Sequence, residues 1–233
     1  MSFVFAPAAP VAVPIAGSQD SFPVRRVYCV GRNYAAHARE MGRDPDREPP
    51  FFFTAWAETV VPDGTTIAYP SKTENFHYEA ELVVAVGKGG RDIAVEDALD
   101  HVWGYATGLD MTRRDLQLEA RAQGRPWDTG KNVEQSSPLG LILKAGEGDF
   151  DPNKGAIKLT VNGEVKQDAD LADLIWPVAD IIAYLSTLWE IQPGDLIYTG
   201  TPAGVGAVVE GDEMVVTIDG LSPLTIKVGP KAA

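Results

Sequence analysis

Short strand-forming runs separated by turns set the limits on how this chain can fold. They read as Arg26–Val30, Phe51–Thr54, Tyr78–Val86, Trp103–Asp110, Leu139–Leu143, Ile157–Val161, Leu196–Thr199, Met214–Ile218 and Leu224–Val228. Turn residues punctuate them: 23 Gly and 17 Pro among 233 residues, too many for a helical bundle. The Asn162–Gly163 pair, both able to take positive φ, predicts a tight hairpin. Helical periodicity is confined to Tyr34–Met41, to Thr112–Gln123 with Thr112 as its cap, and to Pro177–Trp189 with Pro at the first helical position. Strands outnumber helices and do not alternate regularly with them, which disfavours a doubly wound sheet. A mixed β (α+β) fold of packed or rolled sheets with a few peripheral helices is expected.

The chain is long enough for one sizeable core, expected over residues 25–233 as a single domain. Residues 1–24 carry no charge before Asp20 and look superficially like a signal peptide. They lack a basic start, and Pro7, Pro10 and Pro14 would break a helix in a bilayer, so an extended segment on the domain surface is expected. No other stretch reaches the roughly 18 apolar residues that a spanning helix requires, so no membrane partner is expected. A net charge of −13 leaves no general basic field for a phosphate backbone, which disfavours nucleic acid as a partner. The single cysteine, Cys29, cannot form an internal disulfide or a thiolate metal cluster, and the chain reads as cytoplasmic.

The most informative chemistry lies in Phe76-His77-Tyr78-Glu79-Ala80-Glu81-Leu82-Val83-Val84-Ala85-Val86. After Tyr78 it is as apolar as a buried strand, yet it carries two carboxylates that a period of two places on one face. Like charges so close on so hydrophobic a strand are costly unless a cation neutralises them or one is protonated. A solvent-washed face would also accommodate the pair, but the long apolar continuation argues for a ligand site. Asp110, at the end of another apolar run, supplies a third carboxylate; a capping acid near a helix start is its other reading. Three carboxylates with no cysteine or histidine pair favour a hard cation, Mg²⁺, Mn²⁺ or Ca²⁺, over zinc.

His37 and Glu40 stand at i,i+3 on the helix expected after Tyr34. A carboxylate beside an imidazole fixes its tautomer and raises its basicity, as a general base acting on water requires; a surface ion pair is the commoner use of such a pair. Gly31 on one side and Gly42-Arg43-Asp44-Pro45 on the other would let this short helix act as a lid. His77 neighbours the acidic strand and His101 reads as structural. Arg113, Arg114, Gln117 and Lys131 are solvated-face residues by default, although an anionic substrate of so acidic a chain would need some of them. The glycine-rich stretch Gly200–Gly206 lacks phosphate-loop spacing and reads as a tight turn.

Taken in order, Val30-Gly31-Arg32-Asn33-Tyr34 with His37 and Glu40, the Asn75–Leu82 segment, Gly108–Gln117, Gly124-Arg125-Pro126-Trp127 before Lys131, and Gly200–Gly206 resemble the fumarylacetoacetate hydrolase family, in particular its bacterial acylpyruvate hydrolases. The resemblance implies a β-sandwich roll, usually dimeric. It implies that Glu79, Glu81 and Asp110 hold Mg²⁺ or Mn²⁺ and that His37 and Glu40 form a water-activating dyad on a lid. Arg114, Gln117, Lys131 and Thr201 would contact the pyruvyl end of an anionic oxo acid, with Lys131 also stabilising the developing oxyanion. The implied reaction is hydrolysis of the carbon–carbon bond of a 2,4-diketo acid, such as fumarylpyruvate to fumarate and pyruvate in gentisate catabolism. Decarboxylation or keto–enol tautomerisation of oxaloacetate would use the same metal site, and an inactive metal-dependent ligand-binding relative is a reading of another class. The chain departs from the family pattern in its Pro-rich first 24 residues and at Asn132-Val133-Glu134, where relatives often carry an aromatic residue.

Overall fold

The computed structural model describes residues 2–36 and 49–232. Its spine is a mixed sheet in the order Phe51–Ala55, Arg26–Gly31, Asp195–Tyr198, Ala80–Val86, Val102–Leu109, Ser137–Leu139 and Val60–Pro62, with Leu143–Lys144 paired to Val102–Leu109. Asp195–Tyr198 runs parallel to Arg26–Gly31 and antiparallel to Ala80–Val86. A second sheet, Glu164–Asp170, Ala156–Val161, Glu213–Ile218, Leu224–Lys231 and Thr66–Tyr69, packs against it.

Burial on both faces explains why the central strands are continuously apolar. Every residue of Ala80–Val86 is buried. Its even positions, Leu82, Val84 and Val86, share one core with Ile157, Leu159 and Ile226 of the second sheet and with Ile181, Ile182 and Leu185 of the helix Val178–Leu188. The odd positions Val83 and Ala85 join Cys29, Leu139, Leu196 and Tyr198 on the opposite face. Each buried Val, Leu or Ile side chain among them contributes roughly 1.5–3 kcal/mol on leaving water. The Asn162–Gly163 turn joins Val161 to Glu164, with φ of 51° and 81° at the two turn positions.

Several elements differ from the sequence expectation. The N-terminal stretch is exposed over residues 2–10, but Ala12–Pro14 pairs with Ser21–Pro23 as a hairpin that buries Val13, Phe22 and Val24 in the outer core. Prolines forbid a helix there but not a two-stranded ribbon, and Val11, Val13 and Ile15 alternate onto one apolar face. Thr112 is not a helix cap: Thr112–Arg113 is a short strand, the helix is Arg114–Ala122, and the Thr112 hydroxyl donates to the Asp110 carbonyl at 3.1 Å. The run Leu139–Leu143 divides, because Gly140 and Ile142 turn to donate to Thr107 and Pro14 carbonyls. The helix expected over Tyr34–Met41 lies mostly outside the described residues. Among those described, no helix is long and apolar enough to cross a membrane.

Candidate metal centre and catalytic cleft

Glu79 stands where the chain passes from one sheet to another. Phe76–Tyr78 belongs to a small sheet with Thr112–Arg113 and Gly206–Val208, whereas Ala80–Val86 lies in the central sheet. Asp110, the residue after Val102–Leu109, is drawn alongside because its N–H donates to the Glu79 carbonyl at 2.9 Å. Glu79, Glu81 and Asp110 each present a carboxylate oxygen, all within 4.8 Å of one another, and all three residues are buried.

Such crowding must be compensated. Lys131 Nζ donates to Glu79 Oε2 at 2.6 Å and to Asp110 Oδ2 at 2.7 Å, and Arg114 pairs with Glu79 Oε1. The Gly200 N–H donates to Glu81 Oε2 at 2.7 Å. Among the described residues, two cations, Lys131 and Arg114, bond to this group of three carboxylates. Burial first, then Asp110 and Glu79, pushes Glu81 well above the usual carboxylate range. Burial likewise pushes Asp110 up to about 6 despite the attraction of Lys131. An all-oxygen donor set of three clustered, buried carboxylates fits a hard divalent cation, which Glu79, Glu81 and Asp110 could hold.

The supporting cations are placed by close packing. Lys131 ends the short helix Asp128–Lys131, which lies directly against the helix Arg114–Ala122. A Cβ at Gly130 would stand 2.8–2.9 Å from the Gln117 backbone and Cβ, so only glycine permits that approach. Burial opposes the charge on Lys131, but Asp110 and Glu79 outweigh it and raise its pKa, keeping the ammonium charged at neutral pH. Arg114 also donates to Gln117 Oε1, three residues along its helix, which brings the two side chains to one face.

One cleft is lined by Glu79, Glu81, Arg114, Gln117, Lys131 and Thr201 together. Its remaining walls include Phe53, Trp127, Arg32 and Arg121. The Lys131 ammonium stands 5.0 Å above the Phe53 ring. His37 and Glu40 lie outside the described residues. Gly31 and Arg32 line the cleft wall, and buried Asn33 fixes the backbone beside them by donating to the Thr199 and Trp176 carbonyls at 2.8 and 2.9 Å and accepting from Trp176 N–H.

Other residues singled out in the sequence lie apart from the trio or beside it. His77 Nδ1 is 3.4 Å from Arg114 Nε, next to the site. Arg113 donates to the Ser71 carbonyl, away from the cleft. His101 is buried and donates through Nδ1 to the Lys88 carbonyl, a structural bond. Burial pushes the Cys29 thiol well up, so it carries no thiolate character. Asn132 joins the strand Phe51–Ala55, accepting from Trp56 N–H and donating to the Thr54 carbonyl. Sequence reasoning missed Gln167 altogether: it is fully buried on a strand with four charged residues, and its amide bonds Ala80 and Thr201. Nothing in its local sequence marks it.

Comparison with known proteins places this geometry. The family model described as fumarylacetoacetate (FAA) hydrolase, C-terminal, matches residues 26–229. A fumarylpyruvate hydrolase of Ralstonia sp. is 51% identical over 192 residues, covering 82% of this chain and 99% of that protein. The crystal structure of fumarylpyruvate hydrolase from Pseudomonas aeruginosa in complex with Mn²⁺ and pyruvate is 56% identical, with a TM-score of 0.96 over 99% of this chain and 100% of that one. The mitochondrial oxaloacetate tautomerase of Homo sapiens is 41% identical over 204 residues, covering 88% of this chain and 91% of that protein.

Proposed function

The chain belongs to the fumarylacetoacetate hydrolase family, and from that premise we propose that it is a metal-dependent hydrolase of acylpyruvates, with fumarylpyruvate plus water giving fumarate and pyruvate as its reaction. The observation that carries this reading is the buried trio Glu79, Glu81 and Asp110, two of which, Glu79 and Glu81, line a cleft together with Arg114, Gln117, Lys131 and Thr201. A divalent cation, Mg²⁺ or Mn²⁺, held by the trio supplies Lewis-acid stabilisation for the charge that builds on the 2-oxo acid end.

The protein's own residues do the rest. Arg114, Gln117, Lys131 and Thr201 bind and orient the pyruvyl end. His37, oriented by Glu40, takes a proton from water directed at the 4-carbonyl carbon. The water oxygen bonds to C4, and collapse of the resulting tetrahedral adduct breaks the bond between C3 and C4. Its electron pair stays with the three-carbon fragment as an enolate, and the acyl carbon leaves as the carboxylic acid. A carbon leaving group departs only when its charge is spread, and the fixed Lys131 ammonium provides that field without reorganising. Return of the proton from the His37 imidazolium to C3 completes pyruvate.

Two more guanidiniums favour a substrate with a second carboxylate. Arg121 lines the same cleft as Arg114 and lies seven residues further along the helix, about 10 Å at 1.5 Å per residue. Arg32 stands over the Phe51 ring on another wall. Cationic side chains beyond Arg114 suit a fumaryl group, with its distal carboxylate, better than an acetyl group. The reading extends to a homodimer working in the cytoplasm in gentisate catabolism, on the strength of the family resemblance.

Tautomerisation of oxaloacetate is a second reading, supported by the 41% identical human relative. It proceeds through an enolate and requires no activated water. Metal-loaded protein assayed in parallel with fumarylpyruvate, acetylpyruvate and oxaloacetate separates the two. Pyruvate release should be fastest from fumarylpyruvate. Equilibration of oxaloacetate with no cleavage of either diketo acid would transfer the assignment to the tautomerase.

A further inference from the structure

Gln167 lies on the strand Glu164–Asp170 of the second sheet, yet its side chain is completely buried beside the cleft. A register shift makes this possible: Leu159 pairs with Gln167 and Thr160 with Val165, so Lys166 is left without a partner and the strand bulges inward. The loop after Gly200 rests on that bulge, since a Cβ at Gly204 would overlap the Lys166 carbonyl.

The amide of Gln167 makes three bonds. Its Oε1 accepts from Ala80 N–H at 3.0 Å, and its Nε2 donates to the Pro202 carbonyl and to Thr201 Oγ1, both at 2.8 Å. Orientation of the amide is not a matter of choice, because a backbone N–H can only donate and a carbonyl can only accept. Thr201 Oγ1 therefore receives a hydrogen from Gln167, and its own proton must go elsewhere. Thr201 is buried and lines the cleft. Ala80, held by the same amide, lies between Glu79 and Glu81.

We propose that Gln167 is a positioning residue that polarises Thr201, fixing its hydroxyl as a donor toward the carboxylate of the bound 2-oxo acid. The amide also ties the backbone between the two glutamates to the loop that carries that donor. This assignment rests on the acylpyruvate reading of the cleft. Replacing the amide by a carboxylate should reverse the hydroxyl: the new acceptor would draw the Thr201 proton away from the ligand.

The test uses pyruvate itself as probe, titrated calorimetrically into Mn²⁺-loaded full-length protein, with Mn²⁺ affinity measured separately. Gln167→Glu and Thr201→Val should each weaken pyruvate about tenfold, the scale of one hydrogen bond to a charged group, with Mn²⁺ affinity unchanged. In turnover the loss should appear in KM more than in kcat. Thr201→Ser, which keeps the hydroxyl, should bind pyruvate as the wild type does. The double variant should be no weaker than either single one, because both remove the same bond. A hundredfold loss in the double variant, or loss of Mn²⁺ affinity in Gln167→Glu, would overturn the proposal in favour of a general packing role. Should Gln167→Glu not fold, Thr201→Val decides: unaltered pyruvate affinity there overturns the proposal. Failure of the acylpyruvate reading looks different, as pyruvate binding with no cleavage of any diketo acid by the wild type.

Discussion

Lys131 Nζ lies 2.6 Å from Glu79 Oε2, and both side chains are buried at the wall of the cleft. The same ammonium reaches Asp110 Oδ2. A buried pair of this kind adds little net stability over a well-packed apolar pair, but removing one partner strands the other. Lys131 is thus both a structural counter-ion for the acidic trio and a fixed positive charge in the cleft.

Lys131→Met should separate these roles. With the ammonium gone, the metal-free protein loses about 3–5 kcal/mol, the usual effect of stranding a buried charge. Saturating Mn²⁺ should recover most of that stability, because the cation takes over neutralisation of the trio. Turnover should still fall by about two orders of magnitude or more. Thermal melts with and without Mn²⁺, set beside the cleavage assay, check the three outcomes. Equal destabilisation with and without metal would show that Lys131 does not compensate the trio.

Metal binding should weaken steeply in acid. Protons compete with the cation at Asp110, pushed up to about 6 chiefly by burial, and at Glu81, raised well above the usual range for the same reason. In the absence of metal the linkage has a definite sign. The unfolded chain sheds the Asp110 proton near 3.8 and the folded chain near 6, so the metal-free fold loses stability from this group as pH rises through that window. The rise in Tm on adding Mn²⁺ should accordingly be larger at pH 8 than at pH 5.5. A metal-induced shift that does not change with pH would count against carboxylate ligation.

His37→Ala should lower turnover by about two or more orders of magnitude while Mn²⁺ and pyruvate affinities stay close to wild type. Loss confined to kcat would mark a proton-transfer role. Wild-type turnover would refute the dyad, and oxaloacetate tautomerisation surviving in the same variant would identify a reaction that needs no activated water.

Gly200 holds φ at +100°, and an added Cβ would approach Asn33 Cβ to 2.7 Å. Its N–H is also the backbone donor to Glu81. Gly200→Ala should therefore lower stability and Mn²⁺ affinity together. Gly211→Ala is the control, with a φ of +95° and open space around the new Cβ. It carries the backbone strain, about 1–3 kcal/mol, without disturbing the site. Equal effects of the two substitutions on metal affinity would deny Gly200 its part in placing Glu81.

Much of this arrangement is legible in local sequence. A strand as apolar as Ala80–Val86 announces burial, so Glu81 within it announces compensation, and Asn162–Gly163 announces its hairpin. What escapes local reading depends on long-range pairing. Thr112 looks like a cap because it precedes a helical pattern, but pairing with His77 draws it into a strand. Val13 and Phe22 look like surface residues until the hairpin meets the outer face of the central sheet. Gln167 sits among Lys166, Asp168 and Asp170, and only a bulge set by the neighbouring strand turns it inward. The convergence of Arg114, Gln117, Lys131 and Thr201 depends on helix packing at Gly130 and on the loop after Gly200, neither of which has a periodic signature.

The claim on which the rest depends is that Glu79, Glu81 and Asp110 hold one divalent cation. Equilibrium Mn²⁺ binding followed by electron paramagnetic resonance, on wild type and on Glu81→Gln, tests it most directly. The substitution keeps the size of the side chain and an oxygen for the Gly200 N–H, and removes only the charge. One tightly bound Mn²⁺ per chain in the wild type, weakened about a hundredfold or more in Glu81→Gln, is the expected result. Mn²⁺ bound equally well by both proteins, or by neither, would contradict it.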